Sequence, residues 1–229
     1  MTRHMLTSAL FAGVATGLLA TLLQFVFVIP LLLEAELYET GARIHFATNG
    51  SPQSVAGVPA LGNDWGRHIM TLTFNIITFS AYALILVALF GLARIRGVNV
   101  TARQGVVWGV AGFVAVQLAP ALGLPPELPG AITSEVGPRQ IWWSATILAT
   151  AGGLGLIAFG RSGLPVVFGA LLLLVPHIIG APHLDTYYGI APPELSAHFA
   201  TRSLGVGAAG WALLGFFTAY FWTRLDSDT

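Results

Sequence analysis

The sequence predicts an all-α fold, a polytopic membrane bundle of about six transmembrane helices built as a single domain over residues 1–229. Three observations carry this. Hydrophobic residues make up 55% of the chain and charged residues only 9%, more apolar surface than a water-soluble globule could hide. Mean hydropathy is +0.77. The apolar residues also fall in stretches long enough to cross ~30 Å of hydrocarbon, with most ionisable side chains collected between them.

Taken in order, the first stretch covers about 6–33. Arg3 precedes it as in a signal peptide, but the run outlasts the roughly 7–15 apolar residues of such a leader, so it reads as a retained helix. The second covers 68–93, the third 103–122 and the fourth 139–159. The fifth, 164–180, is the weakest: it is short and carries Pro165 and Pro176, which leaves a re-entrant or broken segment open. The sixth covers 203–222. Outer loops are then expected at about 34–67, 123–138 and 181–202.

Arginine placement sets the orientation. With the N-terminus inside, Arg3, Arg94, Arg96, Arg103, Arg161 and Arg224 lie on the inner side, while Arg43, Arg67, Arg139 and Arg202 lie outside. The inner loops are also shorter, so their positive density is higher, and both termini are expected in the cytoplasm. Trp65, Trp142 and Trp143 near the outer boundary and Trp108 and Trp222 near the inner one fit the preference of indole for the interface. Trp211 does not fit and reads as helix packing. Gly13-xxx-Gly17, Gly105-xxx-Gly109 and the cluster Gly152, Gly153 and Gly155 likewise read as places of close helix approach.

Pro125-Pro126-Glu127-Leu128 after the third helix matches Pro192-Pro193-Glu194-Leu195 after the fifth. Three repeated helical hairpins around a common axis would explain the match, and so would coincidence in a proline-rich context.

Several function classes are excluded. Net charge is zero and no basic run exists, so the chain has no electrostatic footprint for nucleic acid. The absence of cysteine removes disulfides and thiolate ligands. The absence of lysine removes the phosphate-binding loop of the Walker type. No His-Glu-x-x-His motif is present, and a metal-dependent membrane enzyme, which needs clustered ligands, an open position and a base, is correspondingly disfavoured.

Chemistry gathers on the predicted outer side, where five of six histidines and eight of ten carboxylates fall in or beside the three loops. After the first helix come Glu34, Glu36, Glu39 and His45. If that helix continues, Glu36 and Glu39 share a face that excludes Glu34. The second loop brings Glu127 and Glu135, and the third brings His177, His183, Asp185, Glu194 and His198. Imidazole and carboxylate without sulfur suit divalent first-row ions, although polar residues also populate loops for solvation alone. The candidate metal set is Glu36, Glu39, His45, Glu127, His177, His183 and Glu194. His177 stands out because an ionisable residue at membrane depth beside Pro176 tends to face a cavity or a partner. Gln24, Asn75 and Gln117 form an amide tier in the outer halves of helices one to three. They read either as an ion path or as interhelical glue.

At this point the residues carry a resemblance. Ala35-Glu36-Leu37-Tyr38-Glu39, the run from Leu118 through Pro125-Pro126-Glu127-Leu128-Pro129-Gly130, Arg139-Gln140-Ile141-Trp142-Trp143, and Pro176-His177-Ile178-Ile179-Gly180-Ala181-Pro182-His183 resemble, in order over nearly the whole chain, the probable cobalt transporter subunit family CbtA. The resemblance implies a multi-spanning subunit of a cobalt uptake system in the bacterial inner membrane, linked to cobalamin synthesis. It also implies a small single-span companion subunit with a histidine-rich end. Co2+ would be the transported ligand, with no permanently bound cofactor. Members often carry a histidine-rich first outer loop, whereas here that loop holds His45 followed by Gly, Ser and Pro. The expected activity is divalent metal import, with an outer His/carboxylate entrance. The alternative is a non-conducting scaffold that recruits a metal-capturing partner.

Overall fold

The computed structural model describes residues 2–45, 53–186 and 189–226. In chain order the elements are α1 (Thr2–Phe27), α2 (Ile29–Glu39), α3 (Trp65–Ile95), α4 (Ala102–Phe113), a π-helical segment (Val114–Leu118), α5 (Ala119–Ala121), α6 (Val136–Phe159), α7 (Gly163–Ile179) and α8 (Pro193–Asp226). The fold is the polytopic helical bundle that the composition predicts. Among the described residues, five helical spans are long and apolar enough to cross a membrane: Arg3–Phe27, Trp65–Ile95, Ala102–Ala121, Val136–Phe159 and Pro193–Leu225. At 17 residues and 1.5 Å per residue, α7 reaches only ~25 Å, short of a full hydrocarbon core.

Prolines account for most departures from straight helices. Pro30 has no N–H to donate one turn back, and the first helix breaks at Val28 before resuming as α2. The predicted 6–33 helix is therefore two helices. Pro120 similarly crowds the carbonyl one turn earlier, and the helix absorbs the mismatch in the π turn Val114–Leu118. The predicted sixth helix starts ten residues early, at Pro193. Proline preset at the first helical position and Glu194 in the first turn are both start signals. Glu194 and His198, expected in a loop, are helical as a result.

The chain divides into two compact units. One comprises Met1–Val26, Gly62–Phe113 and Gly205–Thr229; the other comprises Phe27–Leu61 and Val114–Leu204. In the first unit, a Cβ built on Gly17 of α1 would lie 2.7 Å from the Ile76 Cα of α3, and Gly13 abuts Ser80. Those contacts run in opposite sequence directions, so α1 and α3 are antiparallel. Gly105 and Gly109 of α4 press on the backbone of Gly215 and Trp211 in α8. Trp211 is buried, lies over Gly112 and packs on Tyr82 with ring centroids 4.6 Å apart, the packing role its sequence position suggests. In lipid the gain comes from such close contact, because tails are as apolar as the side chains.

In the second unit, α6 and α7 cross where a Cβ on Gly153 would sit 2.7 Å from the Gly169 carbonyl oxygen, and the converse distance is the same. Leu31 and Ala35 of α2, Leu128 and Phe199 form a buried cluster, joined by Leu195 at its edge. Leu128 and Leu195 close the two Pro-Pro-Glu-Leu tetrapeptides. The first tetrapeptide is extended loop and the second opens a helix, yet both leucines reach the same cluster.

Candidate functional site

All seven predicted metal ligands belong to the second unit. Helix α2 carries the first acids. Leu31, Glu34, Ala35 and Tyr38 are spaced along one face and all are buried, so Glu34 turns inward while Glu36 is half-buried and Glu39 exposed. The Glu34 carboxylate accepts from Arg43 Nη1 at 2.7 Å and from the Gly57 backbone N–H at 3.0 Å. Its side chain is 7% exposed. This pair fastens the chain beyond α2 back onto the helix.

Glu127 is positioned by a turn. The Ala131 N–H donates to the Leu128 carbonyl at 3.2 Å across Pro129 and Gly130, with φ +74° at the glycine. Proline second and a positive-φ glycine third are what a type II turn requires. Leu128 drops into the hydrophobic cluster and Glu127 is left facing Arg139 of α6, whose Nη2 donates to its Oε2 at 2.6 Å. The Glu39 side chain packs on Gly130, Cγ lying 3.2 Å from where a Cβ would be.

Beside this pair is a cavity of about 150 Å³ lined by Glu127, Arg139, Thr133, Ser134, His183 and Thr186 among others. Ser134 Oγ donates to the Pro182 carbonyl at 3.0 Å, joining the second predicted outer loop to the third. His183 Nδ1 lies 3.0 Å from the Leu184 carbonyl. If Nδ1 donates there, Nε2 keeps its lone pair, which is the nitrogen a metal would use.

His177 is placed differently. It lies half-buried in the last turn of α7, edge-on to Trp142 with ring centroids 6.1 Å apart. Trp142 Nε1 donates to the Pro176 carbonyl at 3.0 Å, and the Gly180 N–H reaches the same oxygen at 3.1 Å. His177 is not among the residues lining the cavity, nor are Glu36, His45 or Glu194. Glu36 and His45 each engage a neighbour. Glu194 is exposed in the first turn of α8. Among the described residues, no group of three or more His, Asp or Glu comes together as a metal cage. The structure thus brings Glu127 and His183 to one cavity, with Glu39 against the adjoining turn.

The amide tier separates likewise. In the first unit, Gln24 Nε2 donates to Asn75 Oδ1 at 3.2 Å, and Asn75 Nδ2 donates to Gln24 Oε1 and Thr21 Oγ1 at 3.0 Å each. In the second unit, Gln117 lies in the π turn, and its buried Oε1 has no hydrogen-bond partner among the described residues.

Two arginines were missed as site components. Arg43 reads in the sequence as an orienting charge and Arg139 as an orienting charge and part of a family motif, yet each holds one of the acids. For Glu34 a signal was present: it shares the i, i+4 spacing of Leu31, Ala35 and Tyr38, so its carboxylate required a buried partner. For Arg139 the spacing of 12 residues from Glu127 crosses a turn and offered no local cue.

No curated relative and no solved structure matches the chain. The family model described as probable cobalt transporter subunit (CbtA) matches residues 2–223, nearly the whole chain and both compact units. The chain belongs to the CbtA family of cobalt transporter subunits.

Proposed function

We propose that this membrane protein is the multi-spanning subunit of a divalent metal importer, with cobalt as its substrate, and that the ion enters at the cavity shared by Glu127 and His183. Family membership supplies the substrate. The observation that carries the site is that a carboxylate and an imidazole, 56 residues apart in sequence, line one cavity with the hydroxyl-bearing Thr133, Ser134 and Thr186. Oxygen donors and an imidazole nitrogen suit Co2+, and water would complete its shell. Glu36, Glu39, His45 and Glu194 act as collecting ligands around the mouth, and His177 follows the cavity inward. Gln117, in the same compact unit as the cavity, is the polar position proposed for the path beyond it, its Oε1 being without a partner among the described residues, while Gln24 and Asn75, bonded to each other in the other unit, serve as interhelical glue. The cavity faces the outside of the bacterial inner membrane, both termini are cytoplasmic, and a small single-span, histidine-rich subunit delivers metal for cobalamin synthesis.

A second reading has its own support. Glu127 and Glu34 are each neutralised by an arginine, as expected of a folded scaffold that recruits a metal-capturing partner. Isotopic cobalt uptake separates the two in cells lacking other importers. Measured with and without the companion subunit, uptake should fall at least tenfold in Glu127→Ala/His183→Ala when membrane levels are unchanged. Full uptake by that double variant leaves only the scaffold.

A further inference from the structure

The Glu127–Arg139 pair is the closest charge contact of the cavity, and its chemistry conflicts with metal binding. At 2.6 Å the guanidinium occupies a carboxylate oxygen that a cation would need. A divalent ion arriving at Glu127 and His183 would also meet the positive charge of Arg139 beside Glu127, which repels it. Among the described residues, Arg139 has no ion-pair partner besides Glu127. It lies in the first turns of α6, whose N-terminal positive dipole end disfavours a cation. That turn contains no acid, and its N-cap Glu135 makes no side-chain capping bond. The Arg139 side chain is 20% exposed and its partner Glu127 35%, so the pair borders solvent into which the guanidinium head can turn while its stem stays packed.

We propose that Arg139 is a tethered counter-cation: it neutralises Glu127 while the cavity is empty and is displaced when a divalent cation binds. This rests on the reading of Glu127 and His183 as the entrance. The exchange has two consequences. The carboxylate is never left bare at the cavity, and the ion's affinity is held down by the arginine it must dislodge. A site that passes ions on needs binding weak enough to let them leave. Sodium and potassium, with half the charge, gain too little from Glu127 and His183 to displace the arginine, so the same residue discriminates against monovalent ions.

The test uses the full chain in lipid nanodiscs with Co2+ alone as the probe. Phenylglyoxal labelling of Arg139, read by peptide mass spectrometry, should accelerate several-fold when Co2+ is added, while labelling of Arg43, paired to Glu34 away from the cavity, should not change. Unchanged or slower labelling of Arg139 overturns the proposal, and this arm needs no variant to fold. Arg139→Gln should bind Co2+ about 1.5- to 5-fold more tightly, the range an ion pair of this exposure can contribute. Equal or weaker binding by folded Arg139→Gln, with Glu127→Gln still losing binding, removes the arginine's role and leaves the Glu127 site standing. Wild-type binding by Glu127→Gln removes the site itself, and the counter-cation with it.

Discussion

The indole N–H of Trp142 on α6 donates to the carbonyl of Pro176 on α7 at 3.0 Å, one residue before His177. A proline carbonyl in the last turn of a helix needs acceptor partners, and this one receives both the indole and the Gly180 N–H. The bond therefore fixes the end of α7 and the segment leading to His183. Trp142→Phe keeps most of the ring packing and removes one buried hydrogen bond, so unfolding in detergent should show a loss of about 1 kcal/mol. Cobalt uptake should fall more than protein level does, because His177 and the following loop lose their anchor. Wild-type stability and uptake would show that the bond positions nothing.

At the Gly153–Gly169 crossing the two backbones meet with no room for a side chain. Gly153→Val should separate α6 from α7 and cost roughly 1–3 kcal/mol through overpacking against backbone. Gly155, with open space at its Cβ position, should accept alanine with no measurable loss. Thermal unfolding in detergent of the two variants checks the contrast.

Glu34 and Arg43 form the more enclosed of the two pairs at the acids. Removing Arg43 alone, as Arg43→Ala, leaves a buried carboxylate with only the Gly57 N–H and should cost about 2 kcal/mol. Glu34→Gln should cost less, since an amide can still accept both bonds. A thermal unfolding comparison in which Glu34→Gln is the less stable variant would contradict the unpaired buried carboxylate as the source of the cost.

The amide tier yields opposite expectations for two residues of similar chemistry. Asn75 is satisfied by Gln24 and Thr21, so Asn75→Ala should lower stability by about 0.6–1 kcal/mol and reduce uptake only in step with protein level. Gln117 keeps a buried, unpartnered oxygen, so Gln117→Leu should leave stability unchanged or raised while uptake per molecule falls. Undiminished uptake in Gln117→Leu would take that residue off the ion path.

How much of this was legible in the sequence depends on whether the cause is local. The polytopic helical bundle followed from the apolar runs, and the short fifth apolar stretch was visible as such in its length and prolines. The glycine pairs announced close approach because only glycine leaves backbone exposed to backbone. The break at Val28 was written in Pro30, yet an apolar count from 6 to 33 passes over it, since hydropathy does not register a missing N–H. The convergence of the loops on Glu127 and His183 was only half visible. The polar segments between apolar runs contained both Glu127 and His183, but which histidine lines the cavity, His183 rather than His177, depends on how Trp142 and Gly123 pack. Gly123 abuts both Trp142 and Ala181, a tertiary fact with no sequence period. Residues 46–52, part of the glycine- and serine-rich first outer loop, lie outside the described residues.

Because the chain has no cysteine, a single introduced thiol reports on the cavity without background. The most direct measurement is the labelling of Ile132→Cys, a lining position whose apolar side chain offers no ligand atom, by a membrane-impermeant maleimide in intact cells. The account predicts reaction from the outside and clear slowing by Co2+. Labelling only after the membrane is permeabilised, or at a rate that Co2+ does not change, would contradict an external metal entrance at Glu127 and His183.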